Sequence, residues 1–205
     1  LVGLDMFTQV YDEKLKEALT EIINNYSPSC NYLMGLTNWR LTQSVSQLKA
    51  TPEQSAFKIW RFMRYVFWKL NMEESRMPFL EADMFRVGPA GLARERIELL
   101  WKDVSNIIVV YNSEEHFQRF KANHLDKRVF FTGIPDKNCF ASIHRLQDNI
   151  YRLIKENNID KNDLAVLVSA GPAAKVLCYN LCQKNDTLLC YDIGNFFHMH
   201  YQAAS

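Results

Sequence analysis

The chain has 205 residues, with 24 Lys and Arg against 23 Asp and Glu for a formal net charge of +1. That balance gives no basis for bulk electrostatic attraction to nucleic acid or to an anionic membrane, and the length suits one domain with its own core. The aromatic count is high, 13 Phe, 9 Tyr and 4 Trp, so most of these rings are expected in the core and some can line a site.

The elements follow in chain order. Leu15, Leu19, Ile22 and Ile23 recur at helical spacing and predict a helix over 12–24, ended by Asn24-Asn25. Residues 32–36 predict a short strand closing on Gly35, followed by polar Thr37 and Asn38. Thr51-Pro52-Glu53-Gln54 is a capping box with proline at the first helical position. It opens a helix to about 70 whose Phe57, Trp60, Phe67 and Trp68 form an aromatic face. Residues 71–90, with Pro78, Gly88 and Pro89, read as an irregular, mobile loop, and a helix is expected from about 91 to 102.

From residue 106 the pattern is regular. Strands at 107–111, 128–132, 164–169 and 187–191 alternate with helices at 113–121, 140–157 and 172–183. Such alternation predicts an α/β fold: a three-layer, Rossmann-like single domain over 1–205 with a mostly parallel sheet covered on both faces. Right-handed crossovers then place the strand carboxyl ends on one edge, where open α/β sheets bind ligands. The candidate turns are Tyr111-Asn112-Ser113, Thr132-Gly133-Ile134-Pro135, Ser169-Ala170-Gly171-Pro172 and Asp192-Ile193-Gly194-Asn195.

Ser169, Gly171, Pro172 and Ala173 form a small-residue turn opening a helix with proline at its first position. Backbone N–H groups at the positive end of a helix suit a phosphate; an ordinary tight βα turn has the same composition. Asp192 ends a strand, where an acid can bind a ribose hydroxyl or a metal-bound water, or cap its own turn through Gly194. Lys137 can meet a phosphate, while helix capping accounts for Asn138. His198 and His200 fall on one side of an extended segment and could ligate a transition metal. His116, His124 and His144 read as surface residues in polar helical contexts. No dinucleotide glycine fingerprint and no P-loop occurs, which disfavours a dinucleotide oxidoreductase.

The five cysteines, Cys30, Cys139, Cys178, Cys182 and Cys190, include no CxxC pair and read as buried thiols in a reducing compartment. No signal peptide or membrane-length apolar run is visible, so a cytoplasmic location is expected. The chain opens at Leu1 within an apolar segment, so further residues upstream are expected.

At these residues the chain resembles the bacterial glycosyltransferases of the GT-D fold, first catalogued as a domain of unknown function. FTQVYDEKLKEAL from Phe7 to Leu19 resembles the family's FQ-x-Y-D-x-x-L helix start, and Tyr32 to Gly35 its following strand. Leu100 to Val110 resembles its LW…VVIV segment, Pro135 to Phe140 its P-x-K-N-A-F turn, and Ser169 to Leu177 its LGPTA-x-x-L turn. Asp192-Ile193-Gly194 resembles its D-I-G-H ending, with Asn195 in place of the histidine. The pieces are collinear and span nearly the whole chain. The family's metal-binding Asp-x-Glu, in an Arg-(Phe/Tyr)-Gly-Asp-Gly-Glu segment, has no counterpart in these residues and would align just before Leu1.

The resemblance implies a transferase that moves a hexose from a nucleotide-sugar, typically a UDP-sugar, with a divalent cation (Mn²⁺ or Mg²⁺). Its acceptor would be a glycan or glycoprotein in bacterial surface polysaccharide or glycoprotein synthesis. It places Ser169, Gly171, Pro172 and Ala173 around the diphosphate, and Asp192, a catalytic candidate, with Asn195 near the sugar or metal. Lys137 and Asn138 would line the nucleotide side, with Gly35 and Asn38 across the cleft. The alternative is an inactive nucleotide-sugar-binding or assembly module of the same fold. A homo-oligomer is compatible with these features, and nucleic acid is not an expected partner.

Overall fold

A computed structural model describes residues 9–26, 31–36, 44, 46–47, 79–85, 92–184 and 187–201. The predicted helix at 52–70, most of the segment at 71–90, Asn38 and Cys30 lie outside the described residues.

Four parallel strands form the main sheet: β3 (Asn106–Tyr111), β4 (Arg128–Gly133), β5 (Leu164–Val168) and β6 (Leu189–Asp192), in the order β4-β3-β5-β6. Every residue of β3 and β5 is buried, the mark of strands covered on both faces. Ile108, Val110, Leu164, Val166 and Val168 join one core and Ile107, Val109, Ala165 and Leu167 the other, because alternate side chains leave a strand on opposite faces. Full burial of one such Ile, Val or Leu contributes about 1.5–3 kcal/mol.

The first core is closed by α1 (Glu13–Asn24), α4 (Ile143–Glu156) and α5 (Pro172–Lys184), through Leu15 and Ile22, Ile143, Leu146 and Ile150, and Ala173, Val176 and Leu177. The second is closed by α2 (Arg94–Glu98), α3 (Glu114–Ala122) and α6 (Phe196–His200), through Ile97, Phe117, Phe120, Phe196 and Phe197. The result is the expected three-layer α/β arrangement. A separate parallel pair, β1 (Met34–Leu36) with β2 (Phe79–Glu81), sets Gly35 opposite Leu80.

Several local expectations are revised. The helix expected over 91–102 is α2 followed by a 3₁₀ turn at Leu99–Trp101, and the helix expected from 140 opens with a 3₁₀ turn at Cys139–Ser142; tightened turns are common at helix ends. His124, expected at the surface, is 6 % exposed. It stacks on Phe120 one helical turn earlier, with ring centroids 4.1 Å apart, and its Nδ1 lies 2.8 Å from the Phe120 carbonyl. The four described cysteines, Cys139, Cys178, Cys182 and Cys190, are free thiols. Among the described residues no helix is long and apolar enough to cross a membrane.

Candidate functional site

The chain leaves β3 for β4 on one side and then passes to β5 on the other. The loops after β3 and β5 therefore leave in opposite directions, which makes their carboxyl ends the switch point at which open α/β sheets take ligands. Ser169 N–H donates to the Val110 carbonyl at 2.9 Å and Ile134 N–H to the Tyr111 carbonyl at 3.2 Å, so the ladder closes just below the turns.

On the β5 side, Gly171 takes a left-handed φ of 57° and Pro172 begins α5. Only glycine adopts that backbone readily. Pro172 has no N–H, and Ala174 N–H donates to the Gly171 carbonyl at 3.0 Å. The donors this turn can offer an anion are thus those of Gly171 and Ala173. Ser169 donates its hydroxyl to the Gly194 carbonyl and binds two turns together.

Asp192 does what the capping reading expected and more. Its Oδ1 accepts from Gly194 N–H at 3.2 Å, an Asx turn that supports the Gly194 φ of 52°. Its Oδ2 accepts from Lys175 Nζ at 2.8 Å, which brings a cation from the first turn of α5 to the same edge. Lys175 was not singled out in the sequence; its place three residues after Pro172, facing the end of the next strand, is the signal that could have found it. Asn195 is exposed at the start of α6, without a side-chain cap bond.

On the β4 side, Asn112 Nδ2 donates to Asp136 Oδ1 at 2.8 Å and links the turn after β3 to the residue following the turn after β4. Asn138 does not cap a helix through its side chain. It sits at a left-handed φ of 56°, and its Oδ1 accepts from Val10 N–H at 2.8 Å, so it anchors the segment before α1. Lys137 beside it is exposed. Burial, with Asp136 adding, pushes the Cys139 thiol up to about 11, which leaves it protonated and unreactive at neutral pH. Thr132, 4 % exposed near the end of β4, has no hydrogen-bond partner for its Oγ1 among the described residues. Gly35 pairs with Leu80 in the separate β1–β2 ladder.

The expected pairing of His198 with His200 does not form. The segment is helical, not extended, and residues two apart on a helix point about 200° apart. His198 instead approaches His116 of α3, with ring centroids 5.9 Å apart, while His200 meets Phe196 at a tilt, with centroids 4.8 Å apart.

Among the described residues no group of three or more His, Cys, Asp or Glu is placed to hold a metal ion. Mn²⁺ or Mg²⁺ would want several oxygen ligands. The edge carboxylates Asp136 and Asp192 are both engaged in hydrogen bonds. The described residues do not by themselves fit such a cation.

No protein-family model matches the sequence, and no curated protein matches it. Solved structures do. One is described as "A New Glycosyltransferase (DUF1792) from Streptococcus sanguinis", with a TM-score of 0.62 and 19% identity over 95% of this chain and 70% of that one. Another, "The highly conserved domain of unknown function 1792 has a distinct glycosyltransferase fold", has a TM-score of 0.60 and 19% identity over 95% of this chain and 67% of that one. At that identity the likeness is one of fold: the chain has the three-layer α/β fold of the domain of unknown function 1792 structures.

Proposed function

We propose that the protein is a glycosyltransferase, moving a hexose from a nucleoside diphosphate sugar, UDP-linked in the first instance, to a glycan or glycoprotein acceptor in bacterial surface polysaccharide or glycoprotein synthesis. The observation that carries this reading is the β3/β5 switch point with the Gly171 turn, the α5 amino end and Lys175 gathered at one sheet edge, in a fold shared with structures described as glycosyltransferases. Departure of the sugar leaves negative charge on the diphosphate. The N–H groups of Gly171 and Ala173 and the Lys175 ammonium are the groups suited to offset it. Asp192 orients Lys175 and holds the Gly194 turn, while Asn195, Lys137 and Asn138 flank the same edge.

A second reading, a nucleotide-sugar-binding or assembly module without turnover, is favoured by the double engagement of the Asp192 carboxylate. An acid already held by Lys175 and Gly194 N–H reads as part of the scaffold more than as a base.

The test is calorimetric titration of UDP, with GDP as control, with and without manganese, on the longest natural chain, followed by a hydrolysis and transfer assay with UDP-hexoses. UDP binding that weakens on Gly171→Val and Lys175→Ala, together with turnover, supports the transferase. Binding without turnover supports the module, and no binding of either nucleotide removes both.

A further inference from the structure

A pair of thiols spans the interface between α5 and β6. Lys175 and Asp192 set the register of that interface, with Nζ and Oδ2 2.8 Å apart. The crossover helix runs back along the sheet, so one turn further along α5 lies over two residues earlier in β6. Residues three apart share a helix face and residues two apart a strand face, which brings Cys178 over Cys190. Both side chains are partly exposed and pack against the first core. Their thiols are hydrogen-bonded, and that bond, with burial adding, pushes Cys178 well above the ordinary thiol range. Cys182, one turn further along α5, is buried. Cβ atoms four residues apart on a helix are separated by about 5–6 Å, beyond the about 3.5–4.5 Å that a disulfide spans, so the partner of Cys178 is Cys190.

We propose that Cys178 and Cys190 are a reversible dithiol–disulfide pair, oxidised by a peroxide, that fastens α5 to β6 beside the Lys175–Asp192 bond. The thiolate is the form that attacks, so the proton-holding Cys178 acts second and Cys190, on the edge strand β6, meets the oxidant. The Cys190 sulfur takes one peroxide oxygen as the O–O bond breaks, giving a sulfenic acid, and the other oxygen leaves as water. The Cys178 sulfur then displaces the sulfenic hydroxyl, which departs as water with the Cys178 proton. Two thiols and one peroxide become one disulfide and two waters. An external dithiol reverses the step by exchange. The inference does not rest on the glycosyltransferase reading.

The experiment treats the reduced, folded full chain with hydrogen peroxide, blocks the remaining thiols with N-ethylmaleimide, and maps tryptic peptides without reduction by mass spectrometry. Trypsin cuts after Lys175 and Lys184, so Cys178 and Cys182 share one peptide and Cys190 lies in the next; substitution separates the first two. The expected result is one link between these peptides, retained in Cys182→Ala, lost in Cys178→Ala and in Cys190→Ala, and undone by dithiothreitol. The oxidised chain should melt above the reduced one, because the bond restrains the unfolded state. The measurement on the unsubstituted chain stands whether or not a variant folds. No link in the folded chain, a link that forms only in urea, one that survives either the Cys178 or the Cys190 substitution, or an oxidised form that melts below the reduced one overturns the proposal.

Discussion

Lys175 Nζ and Asp192 Oδ2 stand 2.8 Å apart and tie the first turn of α5 to the last residue of β6. Asp192 also pairs with Val168 across the sheet, so the bond ties the crossover helix to the strand that follows it, beside the strand that precedes it. The side chains are 59% and 25% exposed, so water screens the pair and it contributes at most about 1 kcal/mol. Its weight is positional: it holds a cation beside the turn most suited to an anion.

Asp192→Asn therefore loses the ion pair but keeps an oxygen for Gly194 N–H, and is expected to cost less than about 1 kcal/mol. Asp192→Ala loses both and should cost about 1–2 kcal/mol more. Urea denaturation of the two variants reads the difference. Equal costs would mean that the Asx turn contributes nothing.

Gly194 isolates backbone strain from crowding. Its φ is 52°, yet an added Cβ would meet no atom within 4 Å. Alanine there is expected to cost about 1–2 kcal/mol through the left-handed backbone alone. Asn tolerates that region and should cost less. A neutral Gly194→Ala variant would show that the turn relaxes freely.

Thr132 tests the opposite kind of change. Its buried hydroxyl has no partner among the described residues, so the folded state bears a desolvation cost without a bond to offset it. Thr132→Val should be neutral or mildly stabilising in thermal denaturation. A loss of about 1 kcal/mol or more would reveal a partner for the hydroxyl outside the described residues.

Acid should weaken the fold through its half-buried imidazoles. Burial is the main cause holding both His116 and His200 below the usual range. His116 faces His198 and Arg119, which lower it further, and Glu115, which raises it. His200 faces Arg94, which lowers it, and Glu98 and Glu95, which raise it. The folded form thus binds fewer protons than the unfolded chain, whose imidazoles titrate near about 6.5. Their contribution is complete above that value and is lost as pH falls through the folded-state values. Unfolding free energy measured in EDTA from pH 7.5 to pH 5 should fall, with a shallower slope in the His116→Gln/His200→Gln double variant. An unchanged slope would discount both residues.

The sheet was legible because its strands are buried on both faces, so that Ile107–Val110 and Leu164–Val168 read as unbroken apolar runs. Element ends were less so. Short 3₁₀ turns before α4 and after α2 follow no strong periodicity. The Gly171 turn was visible from its small residues and proline, but its cation was not, because Lys175 meets Asp192 only once the crossover has folded back. In five residues a helix and a strand cannot be told apart by spacing, and this is why His198 was matched with His200 and not with His116. Asn138 had the residue type of a cap and the role of an anchor.

The packing of α1 also bears on how the chain is made. Its Leu15 and Ile22 are buried in the same core as Val176 and Leu177 of α5, and Asn25 just beyond it donates to the Tyr179 hydroxyl at 3.0 Å. Roughly 150 residues separate α1 from α5 along the chain, which at about 5–20 residues per second is on the order of 8–30 s of synthesis. Through that interval the apolar side of α1 lacks the α5 surface it packs on, and for most of it the sheet lacks β5 and β6. The nascent chain is therefore most open to wrong association just before α5 emerges from the ribosome.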